Sequence, residues 1–174
     1  MINLNGTPKS GTFALIKAVE LLAVPVMRGD AAKMWRASNA PTGPGAVFIY
    51  RHPKNALISI VRQERNQVVT QGFLVSRMPG WHSAWLEFAH YLTDPDTLAI
   101  RLGDLLVNES VHQAIAAHIG VPYIAGAHAE LPGGTFSYNA VPSIWSTNVN
   151  WTPLVQQAWV DNQGPAIEAA FGYV

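Results

Sequence analysis

The chain has 174 residues, of which 49% are hydrophobic, and it holds 11 Lys and Arg, 11 Asp and Glu and no Cys. The absence of Cys excludes disulfides and thiolate metal sites, and no run of about eighteen apolar residues predicts a transmembrane helix. The length predicts one domain over residues 1–174. The N-terminus lacks the pattern of a signal peptide, so we expect a cytoplasmic protein without a membrane partner.

The basic residues are unevenly distributed along the chain. All of them lie at or before Arg101, so residues 1–101, which hold six acids, carry 11 − 6 = +5, and residues 102–174 carry −5. A positive N-terminal half suits a small anionic ligand. Because the basic residues are scattered rather than clustered on one segment, we do not expect a nucleic-acid partner.

Strands and helices alternate in the predicted order of elements. Short apolar runs predict the strands "INLNG", "AVFIY" and "TLAIR", at residues 2–6, 46–50 and 97–101. Apolar periodicity, caps and Pro at helix starts predict helices over residues 10–24, 53–69, 80–92, 109–120, 152–160 and 165–171. We expect Ser10 or Thr12 to cap the first helix and Gly120 to end the fourth.

This alternation predicts an α/β fold with a small parallel sheet flanked by helices. Ligands bind such sheets at the carboxyl ends of the strands. Two polar segments, "GTPKSGT" at residues 6–12 and "RHPKN" at residues 51–55, each follow a predicted strand. We therefore expect both segments to face the same crevice.

The first of these segments has the form of a phosphate-binding loop with its lysine displaced. Gly6 and Gly11 have the separation found in ATP-binding loops, but Lys9 lies inside the loop, and Thr12 and Phe13 follow the second glycine. The later strands end in arginine rather than in a metal-binding acid. The pattern therefore predicts a site that neutralises an anion with Lys and Arg, without a metal ion.

Two motifs resemble those of the sulfotransferases. "TPKSGTF" is similar to the family's 5′-phosphosulfate loop, usually PKSGTTW, and "VFIYRHPKNALIS" is similar to its strand, loop and helix for the 3′-phosphate. "TLAIRLGDLLVNES" and the final "FGY" resemble later segments of the family, in the same order. The resemblance implies a three-layer, P-loop-NTPase-like fold. It also implies an enzyme that transfers a sulfuryl group from 3′-phosphoadenosine 5′-phosphosulfate to a hydroxyl or amine.

The resemblance also implies roles for individual residues. Arg51 and Ser59, eight residues apart, would bind the 3′-phosphate of the donor. Lys9 would stabilise the charge that develops on the departing nucleotide, and is therefore a catalytic candidate. The residues expected to bind the 5′-phosphosulfate are Pro8, Lys9, Ser10, Gly11, Thr12 and Phe13.

The catalytic base departs from the family's common pattern. No His precedes His52, whereas many sulfotransferases use a His before the second strand. Other branches use a carboxylate about twenty residues past the loop lysine, and Asp30, 21 residues past Lys9, is our candidate base. The alternative is that Asp30 forms a turn and a helix cap. His82 is the next candidate.

The C-terminal loop and two aromatic positions also depart from the family. "LPGGTFSYNAVPSIW" holds no cation. Backbone N–H groups of Gly133, Gly134 and Thr135, with Ser137, are expected to take part of the role of the family's cations against the 3′-phosphate; the alternative is a plain turn. Ala14 stands where the family has a Trp that stacks on adenine. Trp81 and Trp85 line either a pocket for the acceptor or, as helical spacing favours, the core.

Three functions remain open from the sequence. The first is a small sulfotransferase whose partners are the donor nucleotide and an acceptor of unknown identity. The second is a non-catalytic domain that keeps the sulfotransferase fold and binds a nucleotide. The third is a P-loop kinase, which the position of Lys9 and the lack of metal-binding acids at strand ends disfavour.

Overall fold

The computed structural model describes residues 1–26, 31–64, 69–131 and 151–173. The chain divides into two compact units. The sheet unit comprises Met1–Arg51 and Thr93–Trp145, and the helical unit comprises His52–Leu92 and Ser146–Val174. A single domain over residues 1–174 stays a prediction.

The elements of the described residues run in the following chain order: β1 (Ile2–Gly6), α1 (Thr12–Glu20), β2 (Ala32–Met34), β3 (Ala46–Tyr50), α2 (Pro53–Glu64), α3 (Gln71–Arg77), α4 (Trp81–Leu86), α5 (His90–Thr93), β4 (Thr97–Arg101), α6 (Leu102–Val107), α7 (Glu109–Ile119), a 3₁₀ turn (Ala127–Glu130), α8 (Pro153–Asp161) and α9 (Gly164–Ala170). None of the described helices combines the length and apolarity needed to cross a membrane.

The sheet unit is built on four parallel strands in the order β2-β1-β3-β4. This confirms the predicted α/β class and small parallel sheet. The three predicted strands are β1, β3 and β4. The sequence did not predict β2, because its three residues, "AKM", are too few and too mixed in polarity to show a period.

One face of the sheet carries the core of this unit. Leu4, Val47, Ile49 and Ile100 alternate with residues of the opposite face along β1, β3 and β4. They belong to one buried cluster with apolar residues of three helices, namely Leu15 and Val19 of α1, Leu105 of α6 and Ile115 of α7. This core fixes where the strands end, and so fixes the loops that follow them.

Helix termini follow the prediction in part. Gly120 ends α7 in the left-handed conformation, with φ of 74°, and Pro153 opens α8, as predicted. The predicted cap on the first helix is wrong, because its N-cap residue is Gly11, which has no side chain to cap with. The hydroxyl of Ser10 instead lies over Gly6, where a Cβ atom would be 2.5 Å from it.

The helix predicted over residues 80–92 is two helices, α4 and α5. The main chain between them tightens to bonds that span three residues, with Phe88 N–H donating to Trp85 at 3.0 Å and Ala89 N–H to Leu86 at 3.0 Å. The tightening keeps Phe88 and Tyr91 buried with their rings 6.4 Å apart. Trp85 is fully buried 5.0 Å from the Phe171 ring, which confirms the core interpretation of Trp85.

Candidate anion-binding site at the carboxyl edge of the sheet

A cation follows or ends each strand of the sheet. Lys9 comes after β1, Arg36 after β2 and Arg51 after β3, and Arg101 is the last residue of β4. Because all four strands are parallel, these positions share the carboxyl edge of the sheet. The strand order places them in the sequence Arg36, Lys9, Arg51, Arg101. With strands about 4.8 Å apart, the row extends over roughly 15 Å; we call it the cationic edge.

The loop after β1, residues 6–12, requires both of its glycines. A Cβ atom on Gly6 would lie 2.7 Å from the main-chain oxygen of Ile49, so only glycine allows the loop to approach β3 this closely. Gly11 has φ of 93°, and a Cβ atom there would lie 2.6 Å from a methyl group of Leu102. The loop is therefore clamped between β3 and the start of α6.

The loop presents unbonded main-chain donors. Ser10 N–H donates to the oxygen of Thr7 at 3.1 Å, which folds the loop on itself around Lys9, whose φ is 59°. No residue in the described part of the chain accepts a hydrogen bond from the N–H groups of Lys9, Gly11 or Thr12. Free N–H groups at the start of a helix form a site for an anion, which the helix dipole also favours.

Two buried hydroxyls within the loop also lack hydrogen-bond partners among the described residues. Thr7 is 1% exposed and Ser10 is 0% exposed, yet neither Oγ atom has a hydrogen-bond partner among the described residues. A buried hydroxyl without a partner costs about 1–3 kcal/mol. A ligand that accepted these hydrogen bonds would remove that cost. Thr7 was not among the ligand-binding residues predicted from the sequence, although it lies within the loop motif.

Within the sheet unit, Arg51 contacts the loop after β1. The buried Arg51 guanidinium donates through Nη1 to the main-chain oxygen of Lys9, at 3.3 Å. Arg51 therefore braces the loop as well as adding positive charge to its side. One residue of the "RHPKN" segment thus reaches the loop after β1, as expected from the parallel strands.

Arg36 is a further cation of the candidate site, and the sequence did not predict it. Its guanidinium carbon lies 4.9 Å above the centre of the Phe13 ring. Partial burial lowers the pKa of Lys9 from its ordinary value, and the charge of Arg36 lowers it further. Neither cation forms an ion pair with a carboxylate of the described ranges. The short strand β2 is what places Arg36 here, and no periodic signal marks that strand in the sequence.

The remaining predicted site residues are placed as follows. Pro8 is exposed at the tip of the loop, and Ala14 is buried in α1. Ser59 is half-buried on α2, in the helical unit. Asp30, Gly133, Gly134, Thr135 and Ser137 lie outside the described residues. Their proposed roles stay predictions.

Two other residues of the "RHPKN" segment are engaged inside the helical unit. Lys54 Nζ lies 3.2 Å from a carboxylate oxygen of Glu168 and 5.0 Å from the centre of the Trp151 ring. His52 Nε2 lies 3.4 Å from the same oxygen of Glu168. These contacts give Lys54 and His52 a structural role within that unit.

An open pocket of about 360 Å³ lies at the β4 end of the cationic edge. Tyr50, Arg101, Asp104 and Val111 are among its lining residues. Arg101 Nε donates to the Tyr50 hydroxyl at 3.3 Å. Within residues 1–26, 31–64, 69–131 and 151–173, no three His, Asp or Glu side chains form a group that could hold a metal ion.

Comparison of the chain with protein-family models, with curated proteins and with solved structures gave no significant match.

Replacement of Gly11 by Ala should destabilise the sheet unit. The left-handed conformation costs about 1–3 kcal/mol for a residue with a Cβ atom, and the overlap with Leu102 adds to this. The matched control is Gly103→Ala, since Gly103 lies in α6, its φ is not positive, and a Cβ atom there would have no neighbour within 4 Å. Urea unfolding should show a lower free energy of unfolding for Gly11→Ala and an equal or slightly higher one for Gly103→Ala, since Ala favours a helix over Gly. Equal stabilities would contradict the clamped loop.

Removal of the Arg36 charge should raise the pKa of Lys9. In Arg36→Gln the repulsion between the two cations is lost, whereas burial of Lys9 remains, so the pKa should move part of the way towards its ordinary value. The measurement is an NMR titration of the Lys9 side chain. Lys33→Gln, which removes an exposed cation from β2, is the control and should leave the pKa close to that of the parent protein. An unchanged pKa in Arg36→Gln would show that Arg36 does not act on Lys9.

Proposed function

We propose that the chain is a sulfotransferase with a P-loop-NTPase-like fold that takes 3′-phosphoadenosine 5′-phosphosulfate as its donor. The observation that carries the proposal is the bond between the Arg51 guanidinium and the Lys9 main chain, which joins two cationic segments at one edge of the sheet. The donor has two anionic ends. A site with two adjacent cationic loops is complementary to both.

The loop after β1 is suited to the 5′-phosphosulfate. The N–H groups of Lys9, Gly11 and Thr12 supply donors for its oxygens, and the buried hydroxyls of Thr7 and Ser10 supply two more. Sulfuryl transfer resembles phosphoryl transfer, with a loose transition state and charge on the leaving oxygen. A preorganised donor such as the Lys9 amine lowers such a barrier by about 3 kcal/mol.

Arg51 is suited to the 3′-phosphate because it follows the strand next to β1. A guanidinium binds phosphate through two parallel hydrogen bonds, so one side chain can both brace the loop and bind the ligand. Ser59 is the second proposed ligand of this phosphate, from the resemblance alone. Asp30 is the proposed base for the acceptor hydroxyl, on the same grounds.

The same residues are a poor match to ATP with Mg²⁺. The lysine of an ATP-binding loop follows the second glycine, where this chain has Thr12. Arg51 follows β3 and Arg101 ends β4, at positions where a P-loop enzyme would present a metal-binding acid. The proposed site therefore balances the charge of its ligand with protein cations.

The proposal is tested by ligand selectivity, followed by transfer. Adenosine 3′,5′-bisphosphate in buffer without Mg²⁺ should raise the melting temperature more than ATP with Mg²⁺ does, because binding to the folded state stabilises it. A screen of hydroxyl and amine acceptors with ³⁵S-labelled donor should then show transfer. Preference for ATP with Mg²⁺ would contradict the proposal and favour a kinase. Bisphosphate binding without transfer to any acceptor would favour the non-catalytic nucleotide-binding domain.

Replacement of Arg51 should separate ligand binding from support of the loop. Arg51→Gln should weaken binding of adenosine 3′,5′-bisphosphate by about 1.5–3 kcal/mol, the range for a hydrogen bond to a charged group. Binding of adenosine 5′-phosphosulfate, which lacks the 3′-phosphate, should change far less. Calorimetry measures both, with Arg101→Gln as the control that removes a neighbouring charge. Equal losses for the two ligands would mean that Arg51 acts only through its bond to Lys9.

A further inference from the structure

The strand order leaves two cations of the cationic edge, Arg36 and Arg101, without a role in donor binding, and of these two Arg36 is the one on the β2 side of Lys9. Arg51 follows β3 on one side of β1, and Arg36 follows β2 on the other side. If the donor lies with its phosphosulfate over the loop after β1 and its 3′-phosphate towards Arg51, the nucleotide occupies the β3 side. Arg36 then faces the opposite side of Lys9.

In-line transfer fixes which molecule occupies the Arg36 side. The attacking oxygen and the departing phosphate oxygen stand on opposite sides of the sulfur atom. With the nucleotide directed towards β3, the attacking acceptor approaches from the direction of β2. Arg36, which follows β2 and lies over the Phe13 ring near the start of α1, is a described cation on that side of the loop lysine.

Arg36 is held in place but has no counter-ion in the described parts of the chain. Its guanidinium lies 4.9 Å from the centre of the Phe13 ring, on the helix that begins at the loop. Asn5 Nδ2 donates to the main-chain oxygen of Ala37 at 3.0 Å, which ties the segment after β2 to the end of β1. The position of Arg36 is therefore set by the fold. Its exposed guanidinium keeps hydrogen-bond donors for a partner.

Lys9 and Arg36 carry like charges, and neither has a carboxylate partner among the described residues, an arrangement that favours a bound anion. The charge of Arg36 disfavours the charged form of Lys9, and an anionic group beside both side chains would reverse that effect. A planar guanidinium binds carboxylate, sulfate or phosphate groups through paired hydrogen bonds.

From this arrangement we infer that the acceptor is an acid, whose carboxylate or other anionic oxygen group binds to Arg36 while its hydroxyl or amine faces the donor. This inference rests on the proposed function. It assigns Arg36 as a specificity residue for the second substrate. It also explains why the Arg36 side of the loop carries a positive charge that the donor does not need.

The test compares an acid with its neutral ester on matched variants. The probes are 4-hydroxyphenylacetate and methyl 4-hydroxyphenylacetate, and their dissociation constants are measured by NMR with and without saturating adenosine 3′,5′-bisphosphate. The parent protein should bind the acid about tenfold or more tightly than the ester, the scale of one charge-assisted hydrogen bond. Arg36→Gln should remove that preference. Lys33→Gln, which removes an exposed charge from the same strand, should retain it.

The outcomes separate the inference from the proposed function. The role of Arg36 would be overturned if the parent protein bound the acid no more tightly than the ester. It would also be overturned if Arg36→Gln preferred the acid as strongly as the parent protein does. If adenosine 3′,5′-bisphosphate did not bind, the proposed donor, and with it the proposed function, would be contradicted instead. In that case, a preference for the acid over the ester that is lost in Arg36→Gln would still support an anion site at Arg36. It would overturn the inference that the acid is the acceptor of a sulfuryl group.

Discussion

Parallel pairing of β1 with β3 is the constraint on which the rest of the site depends. Gly6, the last residue of β1, pairs with Ile49, so the loop after β1 starts beside the end of β3. Thr7 N–H then donates to the oxygen of Ile49 at 3.2 Å, and Arg51 reaches back to Lys9. Any shift of this register would separate the two cationic segments. The absence of a side chain at Gly6 is what permits so close an approach.

Without a ligand, the features of the candidate site lower the stability of the folded protein. Buried hydroxyls at Thr7 and Ser10 lack partners in the described chain. Partial burial and the charge of Arg36 both lower the pKa of Lys9, whose amine has no described counter-ion. Each feature is unfavourable without a ligand and favourable with an anion, since an anion supplies acceptors and opposite charge together. The apolar core beneath the sheet supplies the stability that such a site requires.

Much of this arrangement could be predicted from local sequence signals. Apolar runs predicted three of the four strands, and the predicted parallel arrangement of those strands placed the loop around Lys9 and the arginine after β3 at one edge. Arg36 could not be predicted, because it depends on a three-residue strand whose pairing is set by tertiary contacts. The cap of α1 was also wrong, since Ser10 turns under the loop in response to packing against Gly6. Contacts between residues distant in sequence therefore set the position of Arg36 and the cap of α1, which local patterns could not predict.

The most direct measurement is the response of individual amide groups to adenosine 3′,5′-bisphosphate in ¹H–¹⁵N NMR spectra. The N–H groups of Lys9, Gly11 and Thr12 should become hydrogen-bond donors to the 5′-phosphate and move downfield together. The amide of Ser10, which already donates to Thr7, should move least within the loop. Binding that leaves the three free amides unchanged, or that perturbs only residues away from the carboxyl edge of the sheet, would contradict an anion site in this loop.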